Sequence, residues 1–175
     1  MTFRTEVVNI VTYNPLWKAE FEKIRSALNA LAGDLVLGIE HVGSTAVEGM
    51  AAKPIIDIDV VMESYEVFPM IQHRLEQAGY THLGTLGVEG REVFDGGQDP
   101  GWMPCHLYVC SQDGKAYLEH IALRNYLRQN AEARQAYARL KENLAERYHQ
   151  DVDAYCENKT AFIQQILNQT LYPIR

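Results

Sequence analysis

Residues 39–62 read IEHVGSTAVEGMAAKPIIDIDVVM, and the two ends of this stretch decide how the chain folds. The segment from Leu35 to Val42 has the composition of a strand that stops at Gly43-Ser44, and Lys53-Pro54 marks the boundary before a second strand, Ile55 to Met62. A short helix or turn fits between them. On the second strand Asp57 and Asp59 are two residues apart, so both carboxylates face one side with Cα atoms about 6.5–7 Å apart. Ile56, Ile58 and Val60 take the other side. Two like charges on one face of an apolar strand repel, and solvent or a cation must lie between them. A divalent metal ion meets that need, because Mg²⁺ takes one or two carboxylates and completes its shell with water and phosphate oxygens. Gly43, lacking a Cβ, lets backbone approach a phosphate, and Ser44 adds a hydroxyl. Lys53 stands near as a counter-charge.

Outward from this stretch the pattern alternates and then turns helical. Leu16, Phe21, Ile24, Leu28 and Leu31 recur at spacings near three and four, which predicts an amphipathic helix from Asn14 to Leu31, stopped by Gly33-Asp34. A second helix is predicted from Ser64 to Ala78, with Val67, Met70, Ile71 and Leu75 on one face and Gly79 as its stop. Strands follow at Tyr80 to Thr85, Arg91 to Phe94 and His106 to Cys110, and the turn-rich segment 95–104 suits an antiparallel excursion. Beyond Asp113-Gly114 helices are predicted near 115–128, 131–148 and 153–168, with Tyr137, Leu140, Leu144 and Tyr148, then Tyr155, Phe162, Ile163, Ile166 and Leu167, as apolar stripes.

No repeat or linker divides the chain, and its 175 residues suit one domain, mixed over 1–112 and helical over 113–175. Sixteen Lys and Arg against 23 Asp and Glu leave a net charge of −7, which disfavours nucleic acid as a general partner. The charge is uneven: residues 113–149 carry seven cations against five anions. Neither a signal peptide nor an apolar run of membrane-spanning length is found, so a cytoplasmic location is expected. Cys105, Cys110 and Cys156 read as reduced, buried thiols. Cys105 and Cys110, five apart on a strand, point to opposite faces and cannot share a zinc ion with His106.

A hydrophobic residue, Gly-Ser, about ten residues and then Asp-x-Asp between hydrophobics resembles the signature of nucleotidyltransferases of the DNA polymerase β type. The whole of 39–62 is similar to the GrpB family. That resemblance extends from Tyr13 to Leu167 through Trp17, Phe21, Gly79-Tyr80, Arg91, the run from His106 to Cys110, the run from Leu123 to Arg128, Tyr137, Leu140-Lys141, Tyr155 and Lys159. Glu48 and Met50 depart from it, standing where members often carry Pro and Leu, as does Tyr108, where some carry a second His. The resemblance implies an α+β fold, a mixed sheet flanked by helices with the signature on its first two strands and a helical C-terminal region.

It implies no particular reaction; read on that fold, the residues themselves point to a metal-dependent nucleotidyltransferase-like protein. In that reading Asp57 and Asp59 hold Mg²⁺ or Mn²⁺, and Gly43, Ser44, Thr45, Lys53, Arg91, Arg124, Arg128 and Lys159 hold a nucleoside triphosphate whose nucleotidyl group passes to a small acceptor. Superfamily members supply a third carboxylate from a later strand, and His106 to Cys110 carries none. His106 fits as a substitute metal ligand or proton-transfer group; the competing reading is a hydrogen-bonded structural histidine at a strand start, with Glu92 or Asp95 as the alternative acid. Arg124 and Arg128, four apart, share a helical face and form a fork for phosphate or carboxylate. Two other functions fit the same residues: a non-catalytic module that binds a nucleotide or another phosphorylated metabolite, and a helical surface over 113–168 for a partner.

Overall fold

The structure is a computed structural model that describes residues 7–97 and 99–172. Among them, five strands form one mixed sheet in the order β1-β2-β5-β4-β3. These are β1 (Gly38–Val42), β2 (Ile56–Met62), β3 (Tyr80–Gly84), β4 (Arg91–Gly96) and β5 (Cys105–Ser111). Helices α1 (Leu16–Ala32) and α2 (Phe68–Gln77) precede β1 and β3, and α3 (Lys115–Gln129), α4 (Ala131–Arg147) and α5 (Val152–Thr170) follow β5. This is the α+β architecture the sequence implies. Strands β1 and β2 pair antiparallel, β2 and β5 pair parallel, and β5, β4 and β3 continue antiparallel.

The centre of the sheet follows from the alternation in β2. Ile56, Ile58, Val60 and Met62 are buried on one face with Leu107, Val109 and Phe94, under Trp17, Phe21, Ile24 and Leu28 of α1 and Ile71 and Leu75 of α2. The other face carries Glu40, Asp57, Asp59, His106, Tyr108 and Arg91, as the register requires, and α3 packs over it. A strand that is greasy on one side and acidic on the other therefore sits between two layers of helix.

Some element bounds differ from expectation for local reasons. Strand β1 starts at Gly38 rather than Leu35, because Leu35 N–H closes a turn onto the Ala32 carbonyl, 2.9 Å. Helix α2 starts at Phe68 rather than Ser64: Val67 and Phe68 donate back to Ser64 and Tyr65 in a turn, and Pro69, which has no N–H to give, suits only the first helical turn. The C-terminal helices form a second core in which Leu127, Tyr137 and Ile166 bury Val47 and Met50 from the segment between β1 and β2. Val8 joins them from the N-terminal side, donating to the His149 carbonyl at 2.9 Å. Of the three cysteines, Cys110 is buried, Cys105 half-buried and Cys156 exposed on α5, so the expectation of uniform burial fails at Cys156.

Candidate active site

Because β1 and β2 run antiparallel with Val42 opposite Asp57, the chain leaves β1 directly beside the first carboxylate. Gly43 makes this turn with φ +68° and ψ −169°, a conformation that L side chains resist. A Cβ there would lie 2.8 Å from Asp57 Cγ and closer still to Oδ2. Glycine is thus required twice, by backbone and by space.

Ser44 to Ala46 form a 3-10 turn after Gly43, held from several sides. Thr45 is buried: its hydroxyl donates to the Ile55 carbonyl at 3.1 Å and so accepts from His41 Nε2 at 3.0 Å. Burial lowers the His41 pKa to about 4 against the opposing Asp57 charge, with Arg128 and Arg124 adding to the fall, and the ring, neutral at pH 7, stacks on Phe21 with centroids 4.6 Å apart. Arg128 donates twice to the Ala46 carbonyl, 3.0 and 2.8 Å, and Arg124 donates to Glu40 at 2.8 Å and to the His41 carbonyl at 2.9 Å. The two arginines do share a face, but both guanidiniums brace β1 and the turn instead of forming an open fork. Thr45 is likewise a peg inside the turn.

The carboxylates are each held by a histidine. His106, the register partner of Asp57 on β5, donates from Nδ1 to Asp57 Oδ1 at 2.8 Å. Burial works to raise the Asp57 pKa, but this hydrogen bond, with the charges of His106 and His120, carries it below the ordinary value. Asp59 is fully buried, and His120 of α3 donates to it from Nδ1 at 2.9 Å. Burial raises the Asp59 pKa. For His120 burial opposes protonation, yet the hydrogen bond to Asp59 and the charges of Asp59 and Asp57 prevail and raise its pKa. Tyr108 lies between the two imidazoles, with ring centroids 6.3 Å from His106 and 5.8 Å from His120. Arg91 lies over the Tyr108 ring at 4.7 Å.

Of the alternative acids, Glu92 faces the opposite side of the sheet, where it accepts from His82 at 2.8 Å and Tyr65 at 3.1 Å. Asp95 falls on the Asp57 side by alternation and accepts from the Gly96 N–H at 2.9 Å. Among the described residues no group of three or more His, Cys, Asp and Glu side chains is placed to hold a metal ion.

Lysines from the helical half close the other side. Lys141 is 2% exposed; its Nζ donates to Ser44 Oγ at 2.9 Å and to the Ala51 carbonyl at 2.6 Å, and lies 4.8 Å from the Tyr137 ring centroid. Burial, helped by the neighbouring Lys159 charge, lowers its pKa to about 7. Lys53 and Lys159 both contact the Tyr155 ring, at 4.8 and 4.4 Å from the ring centroid, and burial lowers both pKa values, for Lys53 with Lys159 adding to the effect. Gly43, Ser44, Asp57, His106 and the three lysines are thus assembled from six segments.

Sequence reasoning missed His120, Lys141 and Glu40. His120 carries a visible signal, since it precedes Arg124 and Arg128 at four-residue spacing and so shares their face. Glu40 could be found from the antiparallel register, which sets it opposite Asp59. Lys141 has no comparable sign; it interrupts the apolar stripe of α4, and only the packing reveals its partner.

A sheet whose first two strands carry Gly-Ser and Asp-x-Asp, capped by helices, is a nucleotidyltransferase-like fold. The Cid1 poly(U) polymerase superposes on it with a TM-score of 0.52 at 16% identity, over 79% of this chain and 45% of that one, a likeness of fold alone. The chain belongs to the GrpB family: the family model "GrpB protein" matches residues 7–169. The "Glutamate-rich protein GrpB" of Alkalihalophilus pseudofirmus is 40% identical over 165 residues, covering 93% of this chain and 95% of that relative. The crystal structure of the conserved protein GrpB from Enterococcus faecalis matches with a TM-score of 0.81 at 34% identity, over 92% of this chain and 96% of that one.

Proposed function

We propose that the protein binds a nucleoside triphosphate with Mg²⁺ and transfers its nucleotidyl group to a small acceptor. The observation that carries this reading is the contact chain at the end of β1, where a glycine pressed against Asp57 leads into a serine held by a buried lysine. Two more lysines lie alongside. Asp57 and Asp59 offer hard oxygen donors from one face of β2, a set that fits a Mg²⁺ ion taking the rest of its shell from water and phosphate. Bound there, the ion would neutralise charge on the phosphates. Lys53, Lys141 and Lys159 supply the positive charge for a triphosphate, and Ser44 a hydroxyl.

In the transfer itself an acceptor hydroxyl oxygen bonds to the α-phosphorus, the bond to pyrophosphate breaks, and the hydroxyl proton leaves to a base. Calorimetric titration of the wild type with each common Mg²⁺–ribonucleoside triphosphate, with Asp57→Asn and Lys141→Met as comparisons, tests the reading. Each substitution is expected to weaken binding at least about tenfold, since each removes a charged contact. Absence of binding to any of them by the wild type overturns it.

One observation favours a second reading, a non-catalytic module that binds a nucleotide or another phosphorylated metabolite. Both carboxylates already hold a histidine, and no third acid joins them among the described residues. Binding without pyrophosphate release in the presence of varied small acceptors selects this second reading; pyrophosphate release that disappears in Asp57→Asn selects the first.

A further inference from the structure

On the far side of His120 from the lysines lies a cavity of about 830 Å³, between the β3–β4 connection and the start of α3. Its size suits a small organic molecule. Tyr65, Val88, Arg91, Glu92, Glu119 and His120 are among its walls. His120 joins it to the reacting centre, since the same ring donates to Asp59.

The charges lining this cavity are mostly satisfied within the protein. Glu92 accepts from His82 and Tyr65, Asp113 accepts from the Ser111 hydroxyl, and Glu119 pairs with Lys115 at 3.7 Å and accepts from Tyr172 at 3.3 Å. Arg91 is different. Its guanidinium rests on the Tyr108 ring, forms no ion pair among the described residues, and its buried Nε has no hydrogen-bond partner. A guanidinium at a cavity wall without a counter-charge is a group that an anionic ligand can pair. One unpaired guanidinium among acidic walls matches one negative charge, and a polyphosphate would meet Glu89, Glu92, Asp113 and Glu119. A planar carboxylate fits the guanidinium fork. The apolar part of the lining is Tyr65, Val88 and Ala116, of which Tyr65 and Val88 are exposed, at 43% and 37%.

We propose that this cavity is the acceptor site and takes a small monocarboxylate with an apolar body, anchored by Arg91. The acceptor role rests on the nucleotidyl-transfer reading; binding of the acid does not. It is tested without nucleotide or metal, by ligand-observed NMR and calorimetry with 3-phenylpropionate, 4-methylpentanoate and their neutral amides. At least one acid is expected to bind and its amide to bind at least about tenfold more weakly, as loss of a charge-assisted pair requires. Arg91→Gln is expected to lose the preference for the acid and Arg91→Lys to keep part of it. Equal binding of acid and amide, no binding of either acid at millimolar concentration, or an unchanged preference in Arg91→Gln overturns the proposal. If Arg91→Gln fails to fold, the acid–amide comparison on the wild type decides. Acid binding without any triphosphate binding overturns the transfer reading and retains the cavity; triphosphate binding without acid preference does the reverse.

Discussion

Gly43 is where backbone, sheet and chemistry meet in one residue. Its left-handed φ and the Asp57 carboxylate against its missing side chain make Gly43→Ala a double insult, one of strain and one of contact. The expected outcome is a loss of roughly 1–3 kcal/mol in denaturant unfolding and displacement of Asp57, read as loss of Mg²⁺–triphosphate binding. Lys141 offers a second test, of sign. Its pKa is about 7 folded against 10.5 in the unfolded chain, so between those values the unfolded state holds a proton that the folded state lacks. Stability from this group therefore rises with pH across that window, and falls away as pH drops to 7, with a limiting slope of about 1.4 kcal/mol per pH unit. Urea midpoints measured from about pH 7 to 9 should climb less in Lys141→Met than in the wild type. Asp57, Asp59 and His106 could be placed from the sequence because strand alternation fixes their faces, and Gly43 because the strand pattern ends there. Lys141 was not, because its partner Ser44 lies 97 residues away and no local pattern encodes that contact.

At the scale of elements, the four-residue spacing of Arg124 and Arg128 correctly placed both on one helical face, but spacing cannot say what that face meets. It meets the carbonyls of His41 and Ala46, and so α3 is riveted to the end of β1 and to the turn that carries Ser44. Arg128→Met removes two hydrogen bonds to one buried carbonyl while keeping much of the side-chain bulk. The expected cost is about 1–3 kcal/mol, with faster hydrogen exchange concentrated in residues 43–50. Unchanged exchange there would mean the turn is held by Thr45 and Lys141 alone. The strands and helices themselves were read to within a few residues of their ends, because most have a clear period and a turn-forming boundary. The layering was less open to view: nothing in the period of α3 says that it covers the acidic face of β2, and only the long-range pairing of His120 with Asp59 makes that plain.

For the whole molecule, the net charge of −7 conceals a division of labour. Acidic residues outnumber basic ones, 23 to 16, while Lys53, Lys141 and Lys159 come together beside Ser44 and the aromatic rings of Tyr137 and Tyr155. Burial holds all three lysine pKa values down, so their charges are expensive until an anion arrives. A triphosphate bound there would raise those values again, and above neutral pH binding should be accompanied by proton uptake. Titrations in buffers of different ionisation enthalpy measure that uptake; a value of zero near pH 8 would show that the lysines do not meet the phosphates. The same distribution argues against long nucleic acids. An extended strand must cross surface of its own sign, and in about 0.15 M salt, where screening acts within about 8 Å, a compact group of three partly buried lysines cannot compensate along a backbone that carries a charge on every nucleotide. Fluorescence anisotropy with a single-stranded RNA of about twenty nucleotides should therefore show no saturable binding under conditions where Mg²⁺–triphosphate binds. RNA binding stronger than that of the free nucleotide, with a steep salt dependence, would mean that a basic track beyond these three lysines governs recognition.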